Sequence, residues 1–255
     1  MFYARTVEGA AHHMTVPFNT VLEGGDDALR STGSHPIERH SLVDIAAMRV
    51  RHEIVHGQHA PGEVLTEIAL SSRLGVGRGT IRAALFALEA DELVVRAPYS
   101  NWSVAPLNPE AIWEIYTLRG ALEGLAARIV AERRLPAATT HLQDALERVR
   151  IAETQSANER VIADLSLHRT MVDVTGHRSL MRRYLALSAK MEWLYRWSEV
   201  HRPNREPLFG AHAPLVDALL HGTPQQAEDA VRAHIAASLD DDLNGYAAIN
   251  AGHPA

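Results

Sequence analysis

Asp164 and His168 stand four residues apart in the run Ala163-Asp164-Leu165-Ser166-Leu167-His168. That spacing puts a carboxylate and an imidazole on one helix face, about a turn apart. His212 and His234 fall on two further helical stretches, so three helices can converge on one divalent ion in a bundle core. Such ligands suit Zn2+, Ni2+, Mn2+ or Fe2+, and four protein donors leave room for water or ligand oxygens if the ion is five- or six-coordinate. With fifteen histidines in 255 residues, the spacing equally fits surface or hydrogen-bonded core histidines. Arg119 is a second candidate, because a buried arginine can hold a carboxylate bidentately. Its plain alternative is an internal ion pair with Glu123, one turn further on.

A different chemistry is suggested by Arg78 and Arg82, four apart and opposite the apolar positions Ile81, Leu85 and Leu88. The same helix starts with Gly77, Arg78, Gly79 and Thr80, whose free backbone N–H groups suit a phosphate. Two arginines on a solvated face is the plain alternative.

The elements that must position these groups follow from periodicity and punctuation. Ser41 caps a first helix, with Leu42, Ile45, Met48, Val50, Ile54 and Val55 as its apolar stripe. Pro61-Gly62 precedes a short extended piece ending at Leu65, and Thr66 caps a second helix, Glu67 to Leu74, with Ile68, Leu70 and Leu74 available for its inner face. After Gly75 a third helix runs from about Arg78 to Ala90. Leu93–Arg96 and Trp102–Ala105 read as a two-stranded hairpin around Ala97-Pro98-Tyr99-Ser100-Asn101. That order is a winged helix-turn-helix whose second paired helix enters the major groove. From Asn108, a cap followed by Pro109, helical period is continuous, with helices expected near 110–134, 137–155, 158–174, 179–199, 207–221 and 225–243. The expected fold is mainly α: a winged helix-turn-helix with a small hairpin, then an antiparallel bundle of about six helices. The expected division is a flexible arm at 1–40, a reading domain at 41–106, a metal and ligand domain at 107–245 and a tail at 246–255.

Composition narrows the partners. Apolar residues make up 46% and charged residues 22%, which is globular, and no apolar run approaches the ~20 residues of a membrane span. A cytoplasmic protein is expected. The absence of cysteine removes thiolate ligands and leaves histidine and carboxylate for any metal. A net charge of −6, and six arginines against seven acids in 41–106, exclude bulk coating of nucleic acid and leave a local contact surface. One short reading helix carries few base contacts, so a homodimer on a two-fold site in double-stranded DNA is expected. A metal-dependent hydrolase with a vestigial winged helix is the alternative. Four protein ligands in place of three and the wing itself weigh against it.

The run Gly57, Ala60-Pro61-Gly62-Glu63-Val64-Leu65, Leu70, Leu74-Gly75-Val76-Gly77-Arg78, Ile81-Arg82, Ala84-Leu85, Leu88-Glu89-Ala90 and Leu93-Val94 resembles the N-terminal domain of GntR-family bacterial regulators. With the C-terminal half, the chain is similar to the FadR subfamily with an FCD-type effector domain. The resemblance implies operator contacts for Arg78 and Arg82 and one divalent ion on Asp164, His168, His212 and His234. It also implies a small carboxylate effector near Arg119. The chain departs from the pattern at Gly77, where serine or threonine is usual, and at Ala83, where glutamate is usual. At the wing tip, Ser100-Asn101-Trp102 replaces a basic residue and glycine. Two glycines in one first turn cost about 1 kcal/mol each relative to alanine, so weak or atypical operator binding is expected.

Overall fold

The computed structural model describes residues 41–96, 101–201 and 207–250. The expected arm at 1–40, the loop residues 97–100, the break at 202–206 and the tail residues 251–255 lie outside the described residues.

The chain opens with α1 (Leu42–Val55), where Ser41 and Asp44 form a reciprocal capping box. Its buried face is Ala46, Ala47, Val50, Glu53, Ile54 and Val55, whereas Leu42, Ile45 and Met48 are exposed. The apolar stripe read from the sequence is therefore wrong in its first half. Alanines at 46 and 47 let the helix approach its neighbours closely, and that rotation turns the larger side chains outward. Glu53 is fully buried because Arg49 bonds it at 3.0 Å and Arg73 forks onto both its oxygens at 2.5 and 2.7 Å.

Strand β1 (Val64–Leu65) leads into α2 (Glu67–Leu74), capped by the Thr66 hydroxyl and closed by Gly75 in the left-handed region at φ 67°. On α2 Leu70 is buried and Ile68 is exposed, which corrects the inner face expected for that helix. Helix α3 (Arg78–Ala90) buries Ile81, Leu85 and Leu88 completely. Strands β2 (Val94–Arg96) and β3 (Trp102–Val104) complete an antiparallel sheet of order β1-β3-β2. The hairpin thus gains a third strand from Val64 and Leu65, which face Ser103 and Trp102. Two residues are too few to show alternation in a sequence. Trp102 is a core residue paired with Arg96, not part of the wing tip, and its ring meets Phe86 edge-on at 5.0 Å.

The second half is helical throughout: α4 (Pro109–Arg133), α5 (Pro136–Ala152), α6 (Ala157–Asp173), α7 (Arg178–His201), α8 (Leu208–His221) and α9 (Pro224–Asn250). Asn108 caps α4 through the Ala111 N–H, and Ser156 and Glu159 form a capping box on α6. Helix α4 packs closely on α9, and Gly120 and Gly124 face it without side chains. A Cβ on Gly124 would lie 2.9 Å from Arg232 Nε, and one on Gly120 would touch Ile235 at 3.6 Å. This approach brings the stretch around His234 against α4. Helix α9 runs seven residues beyond its expected end at 243, so residues 246–250, expected in a tail, continue it. Gly245 would weaken an exposed helix, but Leu239, Leu243 and Tyr246 pack on the core and outweigh about 1 kcal/mol of glycine cost. No described helix is long and apolar enough to cross a membrane.

Candidate metal centre and nucleic-acid interface

The bundle brings the expected metal ligands together. His168 Nε2 lies 3.1 Å from His212 Nε2, and Asp164 Oδ1 lies 3.2 Å from each of them. Ligand atoms of His168, His212 and His234 all fall within 4.8 Å of one another. The i, i+4 spacing on α6 works as expected, while α8 and α9 contribute one imidazole each.

Hydrogen bonds fix which nitrogens face inward. His168 Nδ1 sits 2.8 Å from Glu123 Oε2, and a carboxylate only accepts, so Nδ1 carries the proton. His212 Nδ1 sits 2.7 Å from the Leu208 carbonyl and is likewise the donor. In their neutral forms both rings then aim an Nε2 lone pair at Asp164 Oδ1, a buried oxygen with no hydrogen-bond partner. Three lone-pair atoms at 3.1–3.2 Å repel unless a proton or a metal cation lies among them. Their spacing matches adjacent donors around an ion with bonds of about 2.0–2.2 Å. The residues present therefore fit a divalent metal.

Charge in the site is correspondingly polarised. Burial pushes the Asp164 carboxyl up, but His212 and His168 outweigh it and hold the carboxyl well below its usual range. Burial raises Glu123 too, yet Arg119 and His168 bring it down to about 2. Burial lowers His234 to about 2, with His168 and His212 adding to the effect, so its ring stays neutral and able to ligate. For His168 burial and Arg119 act downward, but Glu123 and Asp164 win and its pKa is raised.

Arg119 forms the internal pair expected as its plain alternative. Its Nε bonds Glu123 Oε1 at 2.7 Å, the internal pair, while Nη1 and Nη2 are buried without a hydrogen-bond partner. The guanidinium carbon lies 5.1 Å from the Tyr195 ring centroid and 5.8 Å from that of Tyr116. The Tyr184 hydroxyl is also buried without a hydrogen bond. Glu123 was missed by sequence reasoning as a support for His168, although its place one turn after Arg119 marked it as ion-paired. Tyr184 gave no signal. Of the aromatic run on α7, Trp193 and Tyr195 are buried and Trp197 is only partly covered.

On the other half, Arg78 and Arg82 project from the exposed side of α3, with Gly77 as an N-cap that makes no side-chain hydrogen bond. Gly79 is exposed, Thr80 half-buried, and a Cβ on either glycine would meet nothing. Arg82 is forked onto Glu67 of α2, Nε to Oε1 and Nη2 to Oε2, both at 2.7 Å. Sequence reasoning did not see that pair, because fifteen residues separate its members.

Residues 42–104 match the family described as bacterial regulatory proteins, gntR family, and residues 114–237 match the FCD domain. An uncharacterized HTH-type transcriptional regulator of Mycobacterium tuberculosis is 31% identical over 245 residues, covering 85% of this chain and 96% of that protein. A probable D-xylose utilization operon transcriptional repressor of Paenarthrobacter nicotinovorans is 26% identical over 200 residues, covering 78% of this chain and 88% of its own. Among solved structures, a putative transcriptional regulator GntR from Rhodococcus sp. RHA1 aligns with a TM-score of 0.67 at 20% identity. That alignment covers 81% of this chain and 100% of the other, a likeness of fold. The chain belongs to the GntR family of bacterial regulatory proteins with an FCD domain: it is a DNA-binding transcriptional regulator, not one of the hydrolases that a histidine and carboxylate cluster also suits.

Proposed function

We propose that operator binding by this regulator is controlled by a small carboxylate effector held in the helical half by one divalent metal ion and Arg119. The observation that carries this reading is the pair of buried, unbonded guanidinium nitrogens on Arg119, in the same core as the Asp164, His168 and His212 cluster. A buried cation edge without an acceptor costs free energy, and a carboxylate presents two oxygens at the spacing of that edge. Asp164, His168, His212 and His234 would hold the ion, with Zn2+, Ni2+, Mn2+ and Fe2+ all compatible. When bound, the ion supplies positive charge for an effector oxygen without a basic surface. Glu123 orients His168, as carboxylates behind metal-bound imidazoles do.

The reading half, residues 41–106, would engage double-stranded operator DNA through Arg78 and Arg82, with Gly77, Gly79 and Thr80 offering backbone and hydroxyl contacts to phosphate. A homodimer would place two such helices on a two-fold site. A shift assay with DNA from the gene's own upstream region tests the reading. The complex should form with wild-type protein and respond to small carboxylates. Chelator or Arg119→Ala should remove the response and leave the complex. A response that survives both changes would refute control through this site.

A further inference from the structure

Arg82 has five N–H donors, and Glu67 takes one from Nε and one from Nη2. The end-on edge, made of Nη1 and the second Nη2 hydrogen, is left unbonded on a side chain that is 59% exposed. This is the edge a guanidinium uses to meet two acceptors at once, such as the O6 and N7 of guanine. Glu67 is itself firmly seated. It is the first residue of α2, directly behind the Thr66 cap, and its side chain is only 20% exposed. Hydrogen bonds from Arg82 lower its pKa most, against a smaller effect of burial, and Trp102 and Arg96 of the sheet lower it further. One carboxylate therefore ties α2 to α3.

We infer that Glu67 is a positioning residue for operator reading: it fixes the plane of the Arg82 guanidinium and, by its charge, steers the free edge towards neutral base acceptors and away from phosphates. A loose arginine on a helix facing DNA takes whichever acceptor is nearest, and phosphates carry the full negative charge. A carboxylate on the adjacent edge of the guanidinium repels a phosphate more than a base edge, and it removes the rotamer freedom that reaching the backbone needs. The clasp thus trades general affinity for discrimination. This inference rests on the proposed role of α3 as the reading helix.

The test begins with selection of bound duplexes from a randomised pool by the full-length protein. Affinity for the best duplex and for a shuffled duplex of the same composition is then measured across salt concentrations. Glu67→Gln keeps the shape of the side chain and removes its charge. It should lower the ratio of the two affinities about tenfold, mainly by tightening binding to the shuffled duplex. It should also steepen the salt slope on that duplex by about 0.9, the value for one further phosphate contact. Glu67→Asp should restore part of the discrimination. In an Arg82→Ala background, Glu67→Gln should have no further effect on the ratio. Unchanged ratio and slope in Glu67→Gln, or equal changes with and without Arg82, would overturn the inference. If Arg82→Ala itself leaves the ratio intact, α3 is not the reader and the inference falls with that role.

Discussion

Two arginine and glutamate pairs, one in each half of the molecule, share the same charges and differ in everything else. Arg82 and Glu67 meet at the surface, with side chains 59% and 20% exposed, while Arg119 and Glu123 lie in the bundle at 1% and 0%. At the surface, water competes for both partners, so the pair contributes little to folding and leaves one edge of its arginine open to a further acceptor. In the interior both charges have lost their hydration, and one carboxylate oxygen on one guanidinium nitrogen cannot replace it. Burial pulls the Arg119 pKa down, but Glu123 outweighs it and the group stays charged. The same pair of residue types thus suits reversible contact with DNA in one setting and capture of an anion in the other. Solvent access makes the difference.

The largest effect should come from breaking the buried pair. Glu123→Ala leaves Arg119 uncompensated and His168 without its acceptor, and should destabilise the metal-free protein by about 3–5 kcal/mol. Metal affinity should fall about 10- to 100-fold. Denaturant unfolding and metal titration check both, and stability equal to wild type would show that Arg119 finds another partner.

A third pair gives an intermediate case. Glu53 is as buried as Glu123, but its partners Arg49 and Arg73 reach it from the surface. Glu53→Gln should cost about 2 kcal/mol, the loss of charge-assisted bonds without a stranded cation. Burial pushes the Glu53 pKa up, but Arg73 and then Arg49 outweigh it, and the folded value lies below the normal one. Its stabilisation is therefore complete above the unfolded value of about 4.3 and is lost as pH falls through the folded value. The stability difference between wild type and Glu53→Gln should shrink below about pH 4.3; a gap that widens there would contradict the sign.

The smallest effect on folding belongs to the exposed pair. Glu67→Gln and Arg82→Ala should leave the thermal midpoint unchanged while altering DNA binding. A drop in midpoint comparable to that of Glu123→Ala would erase the contrast between the two pairs.

What the sequence disclosed follows the range of each interaction. Caps at Ser41, Thr66 and Asn108, and the carboxylate and imidazole on α6, are local, so spacing and residue type suffice to find them. The rotation of α1 was misread because Leu42, Ile45 and Met48 have helical period, while Glu53, a charged residue, fills the core face. Its burial depends on Arg73, twenty residues away. The same holds for Glu67 with Arg82 and for Glu123 with His168, where the partner that decides the role lies on another helix. The meeting of His212 and His234 with α6 was legible as residue types and, through the resemblance, as positions. The close approach of α4 and α9 at Gly120 and Gly124 went unread.

Metal content tests the site most directly. Full-length protein stripped with chelator, reloaded with Zn2+ and desalted should carry one ion per chain by elemental analysis, and His212→Ala, treated identically and still folded, should carry far less. Equal occupancy in the two proteins, or none in the wild type after reloading, would contradict a metal centre built from Asp164, His168, His212 and His234.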